Sequence, residues 1–159
     1  MAVLITGAAA AGAYRLQRTL ELGQIIFADQ QDLPKALFST TQFFQIPPGN
    51  SPAFAHQLLR FSLDHGIDMI FPLRRDELIS LSEAKKLFEE YTIDIIVPDS
   101  GEVAELLKNS ASGGDEIVIA KDGMLLSGQF LEQNDLPALT GLFICPSEQY
   151  SELKLFTVD

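Results

Sequence analysis

The stretch that most constrains the fold is Ala2-Val3-Leu4-Ile5-Thr6-Gly7-Ala8-Ala9-Ala10-Ala11-Gly12. An apolar run from Ala2 to Ile5 stops at Thr6-Gly7, and small residues follow. Ala13 to Leu22 then keeps helical spacing, with Leu16 and Leu20 on one face and Arg15, Gln17, Arg18 and Glu21 between them. Strand, small-residue turn and helix together open a parallel α/β sheet. The glycine lets the backbone turn tightly, and the helix that follows offers unpaired N–H groups to an anion.

The same alternation continues. Gly23 ends the first helix, and Gln24 to Ala28 reads as a second strand with Asp29 at its end. Gln30 to Thr41 is a polar connection, with a short helix expected around Lys35 to Phe38. Gln42 to Ile46 is a third strand, stopped by Pro47-Pro48-Gly49-Asn50. Ser51 is expected to cap the next helix and Pro52 to take its first position. That helix runs to His65, and Gly66 ends it. Ile67 to Phe71 is a fourth strand closed by Pro72, and Asp76 opens a helix whose apolar face includes Leu78, Leu81, Ala84 and Phe88. Ile93 to Val97 is a fifth strand closed by Pro98. A helix from Gly101 to Leu107 follows, capped by Asp99 or Ser100. The expected fold is α/β: a five-stranded parallel Rossmann-like sheet of order 3-2-1-4-5, with right-handed connections.

At Lys108 the texture changes. Residues 1–107 form the α/β domain in this reading, 108–114 a small-residue linker, and 115–159 a small antiparallel β segment. Glu116–Ala120 and Met124–Leu131 flank Lys121-Asp122-Gly123, a strong hairpin signal. A turn at Asn134–Pro137 and strands at Leu139–Cys145 and Leu153–Val158 follow, with Ser147–Ser151 between them.

Charge narrows the partners. The net charge of −11 is uneven: residues 1–75 carry six Lys/Arg against five Asp/Glu, and residues 76–159 carry five against seventeen. An acidic second half argues against nucleic acid and against an anionic membrane. Cys145 is the one cysteine, so an internal disulfide is excluded and a reducing, cytoplasmic setting fits. Neither a signal peptide nor a membrane span is expected.

The first 107 residues, taken in series, resemble the N-terminal (pre-ATP-grasp) domain of ATP-grasp ligases, nearest to the carbamoyl phosphate synthase large-subunit-like group. The resembling pieces are Leu4-Ile5-Thr6-Gly7-Ala8 with Gly12, Asp29, Phe44-Gln45-Ile46-Pro47-Pro48, Phe71-Pro72 with Asp76-Glu77-Leu78 and Leu81, and Ile96-Val97-Pro98. The resemblance implies a following ATP-grasp domain of roughly 200 residues, more than the fifty or so that remain can hold. A complete ligase is therefore not expected. Ala9, Ala10 and Ala11 also fill a turn that is often glycine-rich in the family.

The candidate ligand-binding residues are Thr6, Gly7, Ala8, Gly12, Asp29, Pro72, Arg74 and Asp76. In an open parallel sheet, ligands bind beyond the strand ends where the order reverses, here between the first and fourth strands. Asp29 stands where a dinucleotide sheet places its ribose acceptor, but G-x-G-x-x-G is absent, so it also reads as a solvated strand-end aspartate. Arg74 is suited to grip a carboxylate or phosphate bidentately; against this, Arg74 and Arg75 read as solvated, with Asp76 capping the helix and Glu77 favouring its dipole. Tyr150 and Lys154 match the Tyr-x-x-x-Lys spacing of short-chain dehydrogenases by chance, since they fall on strand-like sequence. His56 and His65, nine apart, lack zinc-pair spacing. Gly12→Asp is expected to block the pocket while leaving the fold.

These residues suggest neither a catalytic set nor a metal site, and no cofactor is expected. The reading is a non-catalytic binding or assembly module related to the pre-ATP-grasp domain, with a small carboxylate or nucleotide-like metabolite as ligand. A homodimer through exposed strand edges is expected. The alternative is one component of a split, carbamoyl phosphate synthase-like carboxylate–amine ligase acting with a separate ATP-grasp chain. An NAD(P)-dependent oxidoreductase is less favoured.

Overall fold

β1 (Ala2–Ile5) is buried on both faces, and the rest of the molecule is layered around it. The computed structural model describes residues 1–21, 23–32, 43–113, 116–127, 138–145 and 153–159. β1 pairs in parallel with β2 (Gln24–Asp29) on one side and β4 (Met69–Phe71) on the other. β3 (Phe43–Gln45) and β5 (Asp94–Ile95) extend the sheet, giving the order β3-β2-β1-β4-β5. Leu4 joins one core cluster with Leu58, Leu78, Leu81 and Phe88. Val3 and Ile5 join another with Ala13 and Leu16. Successive side chains of a strand point to opposite faces, so an all-apolar β1 requires helices on both. α1 (Ala11–Thr19) covers one face, while α2 (Phe54–Asp64) and α3 (Arg75–Glu90) cover the other.

After α4 (Val103–Leu107) comes a second, antiparallel sheet of order β7-β6-β8-β9. Its strands are β6 (Glu116–Lys121), β7 (Met124–Ser127), β8 (Gly141–Cys145) and β9 (Lys154–Leu155). Asp122 (φ 51°) and Gly123 (φ 77°) make the two-residue turn, both left-handed, as an Asp-Gly hairpin needs. Val118 and Phe143 pack into the cluster of α2 and α3, whereas Ile117, Ile119, Leu142 and Ile144 pack into that of α1. The second sheet is thus buried on both faces and shares both cores of the first.

All four helix starts differ from expectation. α1 begins at Ala11 rather than Ala13 and ends at Thr19, because Leu20 is already extended (φ −89°, ψ 117°). α2 begins at Phe54, with Ala53 before it and no side-chain cap. The preceding loop is pressed onto the first turn of α3: a Cβ at Gly49 would lie 2.4 Å from the Glu77 nitrogen. Ser51 and Pro52 belong to the turn that leads away from that contact, where Phe54 N–H donates to the Ser51 carbonyl at 3.0 Å. α3 begins at Arg75 rather than at a capping Asp76, whose Oδ1 accepts from the Glu77 N–H within the first turn (2.9 Å). α4 begins at Val103. Asp99 contributes its carbonyl to that start, while its side chain turns to Lys85 (3.0 Å). The expected helix at Lys35–Phe38, the turn at Asn134–Pro137, the segment Ser147–Ser151, Tyr150 and the far end of the strand after Met124 lie outside the described residues.

Candidate functional site

Parallel register brings the ends of β1, β2 and β4 to one edge: Ile5 lies level with Phe27 and with Phe71. Thr6-Gly7, Asp29 and Leu73-Arg74 therefore leave the sheet side by side. Arg74 reaches across the end of β1 to Asp29, with Nε on Oδ1 and Nη2 on Oδ2, both at 2.8 Å. Ala9 N–H donates to Oδ2 and Gln30 N–H to Oδ1, each at 2.7 Å. Asp29 thus accepts four donors, one of them in the turn that leads into α1. Burial alone would raise the Asp29 carboxyl, but donation from Arg74 and the two N–H groups hold it below the usual range. Asp29 likewise holds the Arg74 guanidinium above its ordinary value.

Beside this pair, the Thr6 hydroxyl donates to Glu77 Oε2 and accepts from the Leu73 N–H at 3.1 Å. Glu77 is fully buried, and its Oε1 has no hydrogen-bond partner among the described residues. Burial pushes its carboxyl up to about 8, with Asp76 and Asp29 adding to the rise and Thr6 and Arg74 opposing it. Glu77 is therefore mostly protonated at neutral pH, and Arg74 is balanced by Asp29.

Residues 156–159 close the edge. Val158 N–H donates to the Leu73 carbonyl at 2.9 Å, and Asp159 Oδ1 accepts from the Arg75 N–H at 3.0 Å. A Cβ on Gly12 would come within 2.8 Å of both Phe156 Cζ and Val158 Cγ1. One on Gly7 (φ +64°) would meet Val158 Cγ2 at 2.9 Å. Gly12→Asp, expected to touch only a pocket, would instead strike the fully buried Phe156 ring.

The candidate residues separate accordingly. Thr6, Gly7, Ala8, Asp29, Pro72 and Arg74 are buried together at this edge, Gly12 is half-buried beside Phe156, and Asp76 stays half-buried in the first turn of α3. The expectations of a solvated Asp29 and a solvated Arg74 are overturned, because each is buried against the other. Glu77, Phe156, Val158 and Asp159 are additions to the site. For Glu77 a signal existed: positions 77, 81, 84 and 88 share one helical stripe, and the other three are Leu, Ala and Phe.

With that geometry in place, comparison by sequence decides the family. The model of the PylC-like N-terminal domain matches residues 2–96. The chain belongs to that family. It is the pre-ATP-grasp-type domain of ATP-grasp ligases. No curated protein matches the chain. The match ends just past β5, so β1 to β5 and the Asp29–Arg74 pair lie within the family domain, whereas β6 to β9 and residues 156–159 lie beyond it.

Elsewhere, a cleft of about 500 Å³ opens between the PylC-like domain, at the end of α1, and the β6–β7 hairpin beyond it, lined by Leu20, Met69, Phe71, Ile119 and Leu126. None of the candidate residues lines it. His65 stacks on Phe61 at 4.1 Å, and His56 is exposed. Among the described residues, no three His, Cys, Asp or Glu side chains gather as metal ligands would, and no helix is long and apolar enough to cross a membrane.

Proposed function

We propose that the chain is a non-catalytic binding module of ATP-grasp ligase descent, taking a small carboxylate at the crevice between the ends of β1 and β4. The observation that carries this reading is the Asp159 carboxylate itself. It sits on the backbone N–H of Arg75, at the positive end of a 16-residue helix, with Oδ2 3.8 Å from Arg74 Nη1. Those groups already hold a carboxylate, and a ligand carboxylate would meet the same donors. A catalytic role has less support. Two carboxyl groups at this edge, Asp29 and Glu77, are sealed, and Asp29 is committed to four donors.

Thermal-shift titration tests the reading, with acetate, succinate and L-glutamate on one side and ATP with magnesium on the other. A carboxylate at a hundredfold excess over its Kd adds about 2.7 kcal/mol, a rise of several degrees. Saturable stabilisation by a carboxylate alone is expected. Stabilisation only by ATP with magnesium would favour the component of a split ligase. Silence toward every carboxylate, in the native chain and in Asp159→Ala alike, would overturn the reading.

A further inference from the structure

The cleft of about 500 Å³ at the end of α1 lies away from the Asp29–Arg74 edge. α1 runs back from the ends of the parallel strands, and Ala2 lies level with Gln24, so the last turn of α1 stands where β1 and β2 begin. α1 stops at Thr19, and on the same side of the sheet Ile117, Ile119, Leu142 and Ile144 of the second sheet take over the cover. Between these two covers β4 is left partly unroofed, and its Met69 and Phe71 line the cleft together with Leu20 and Ile119. A β-bulge sets the remaining wall. Ile119 pairs with Ser127 and Ala120 with Leu125, so Leu126 is the extra residue of β7, and it lines the cleft. Leu126 stays 45% exposed, and Met1 on the same rim is 65% exposed. Apolar side chains left open to water around a concave, largely apolar cleft of this size are what a small-ligand site presents.

The polar groups at the cleft are acceptors. Glu21 is the one charged side chain that lines it, and among the described residues Glu21 forms no ion pair, either with Arg18 or with the Met1 amino group. The Thr19 hydroxyl donates to the Arg15 carbonyl at 3.1 Å, which leaves its oxygen to accept from a ligand. The last carbonyls of α1 bring the negative end of the helix to the same place. The acidic excess of the second half of the chain adds a field of the same sign.

We infer that this cleft binds a small lipophilic amine, its alkyl or aryl body among Met69, Phe71, Ile119 and Leu126 and its single ammonium group at Glu21 and Thr19. The apolar body supplies the affinity, and the mouth selects the charge: an ammonium finds a carboxylate and a hydroxyl acceptor, whereas a carboxylate on the same body meets Glu21 and is repelled. The inference stands apart from the carboxylate reading above, since none of the residues of that crevice lines this cleft.

The test is titration of phenethylamine, its neutral counterpart phenethyl alcohol and its anionic counterpart phenylacetate into the full chain near neutral pH, followed by NMR on isotope-labelled Met, Ile and Leu methyl groups. With the amine, the Met69, Ile119 and Leu126 methyls should shift to saturation. The alcohol should shift the same methyls with about threefold weaker affinity, and phenylacetate should bind there more weakly still. Glu21→Gln, at an exposed position, should lower the amine to the affinity of the alcohol and leave the alcohol unchanged. Leu126→Lys, also at an exposed position, removes apolar wall and adds a like charge, and should weaken the amine by about tenfold or more. If none of the three compounds moves these methyls, the site is overturned. Equal affinity for amine and phenylacetate at these methyls, or an amine affinity unchanged in Glu21→Gln, overturns the assignment of an amine as the ligand.

Discussion

Glu77→Gln should flatten the dependence of stability on pH. The Glu77 carboxyl titrates near 4.5 when solvated and near 8 when folded, with burial as the main cause. Between those values the native state keeps a proton that the unfolded chain has released. Stability conferred by that proton is complete below pH 4.5 and is lost as pH rises toward 8. One proton contributes a slope of about 1.4 kcal/mol per pH unit, so the interval is worth roughly 5 kcal/mol. Asp29 has the opposite sign. Its folded value is depressed, so the stability it contributes is lost only in acid, as pH falls through that value, and adds no slope here. Glutamine keeps the carbonyl that accepts from Thr6 and cannot titrate. Its amide, left in the place of the unpartnered Oε1, is expected to impose a constant offset of about 1–3 kcal/mol. Urea denaturation at pH 5, 6, 7, 8 and 9 on both chains separates the two effects, because the offset is parallel and the titration is not. The difference between the chains should shift steadily in favour of Glu77→Gln from pH 5 to 8 and then level off. Parallel curves across the whole range would show that Glu77 is not proton-bound in the native state, and would refute the reasoning.

Three further outcomes follow from the same edge. Asp29→Ala leaves the Arg74 guanidinium buried without its partner and should lower urea-derived stability by about 3–5 kcal/mol. Gly49→Ala places a methyl 2.4 Å from the Glu77 nitrogen and 2.7 Å from its Cα, where backbone cannot yield cheaply. It should cost about 1–3 kcal/mol in thermal melts, and an unchanged melting temperature would contradict that packing. Phe156→Ala empties a fully buried site beside Gly12, with a loss of about 3–5 kcal/mol expected from chemical denaturation.

The parallel sheet was legible because its signals are local. Each short apolar run meets a Gly or Pro within a few residues, and the order 3-2-1-4-5 follows from the α/β rule and handedness. Asp-Gly marked the β6–β7 turn for the same reason. The site was legible only as a place. Asp29 and Arg74 were both singled out, but they are 45 positions apart, and their pairing depends on β1 and β4 being neighbours. Nothing in the run Leu153–Val158 says that it ends against Gly12 and Leu73, because a strand's own pattern does not specify what lies beyond its end.

Gly7 and Gly66 show this limit most sharply, and they can measure how Val158 packs over Gly7. Both stand at φ near +60° (+64° and +62°), so in sequence they are the same signal: glycine ending an apolar or helical segment. Their surroundings differ. A Cβ at Gly66 meets nothing within 4 Å, whereas one at Gly7 meets Val158 Cγ2 at 2.9 Å and Leu73 Cβ at 3.1 Å. Gly66→Ala should therefore cost only the left-handed backbone penalty, about 1–2 kcal/mol. Gly7→Ala carries that penalty plus the clash. In a Val158→Ala background the Cγ2 contact is gone and only Leu73 remains, so Gly7→Ala should cost less there, with a coupling of about 1 kcal/mol. Gly66→Ala should cost the same in both backgrounds. If Gly7→Ala costs the same in both backgrounds, then Val158 does not lie over Gly7 in solution, and the crevice stands open.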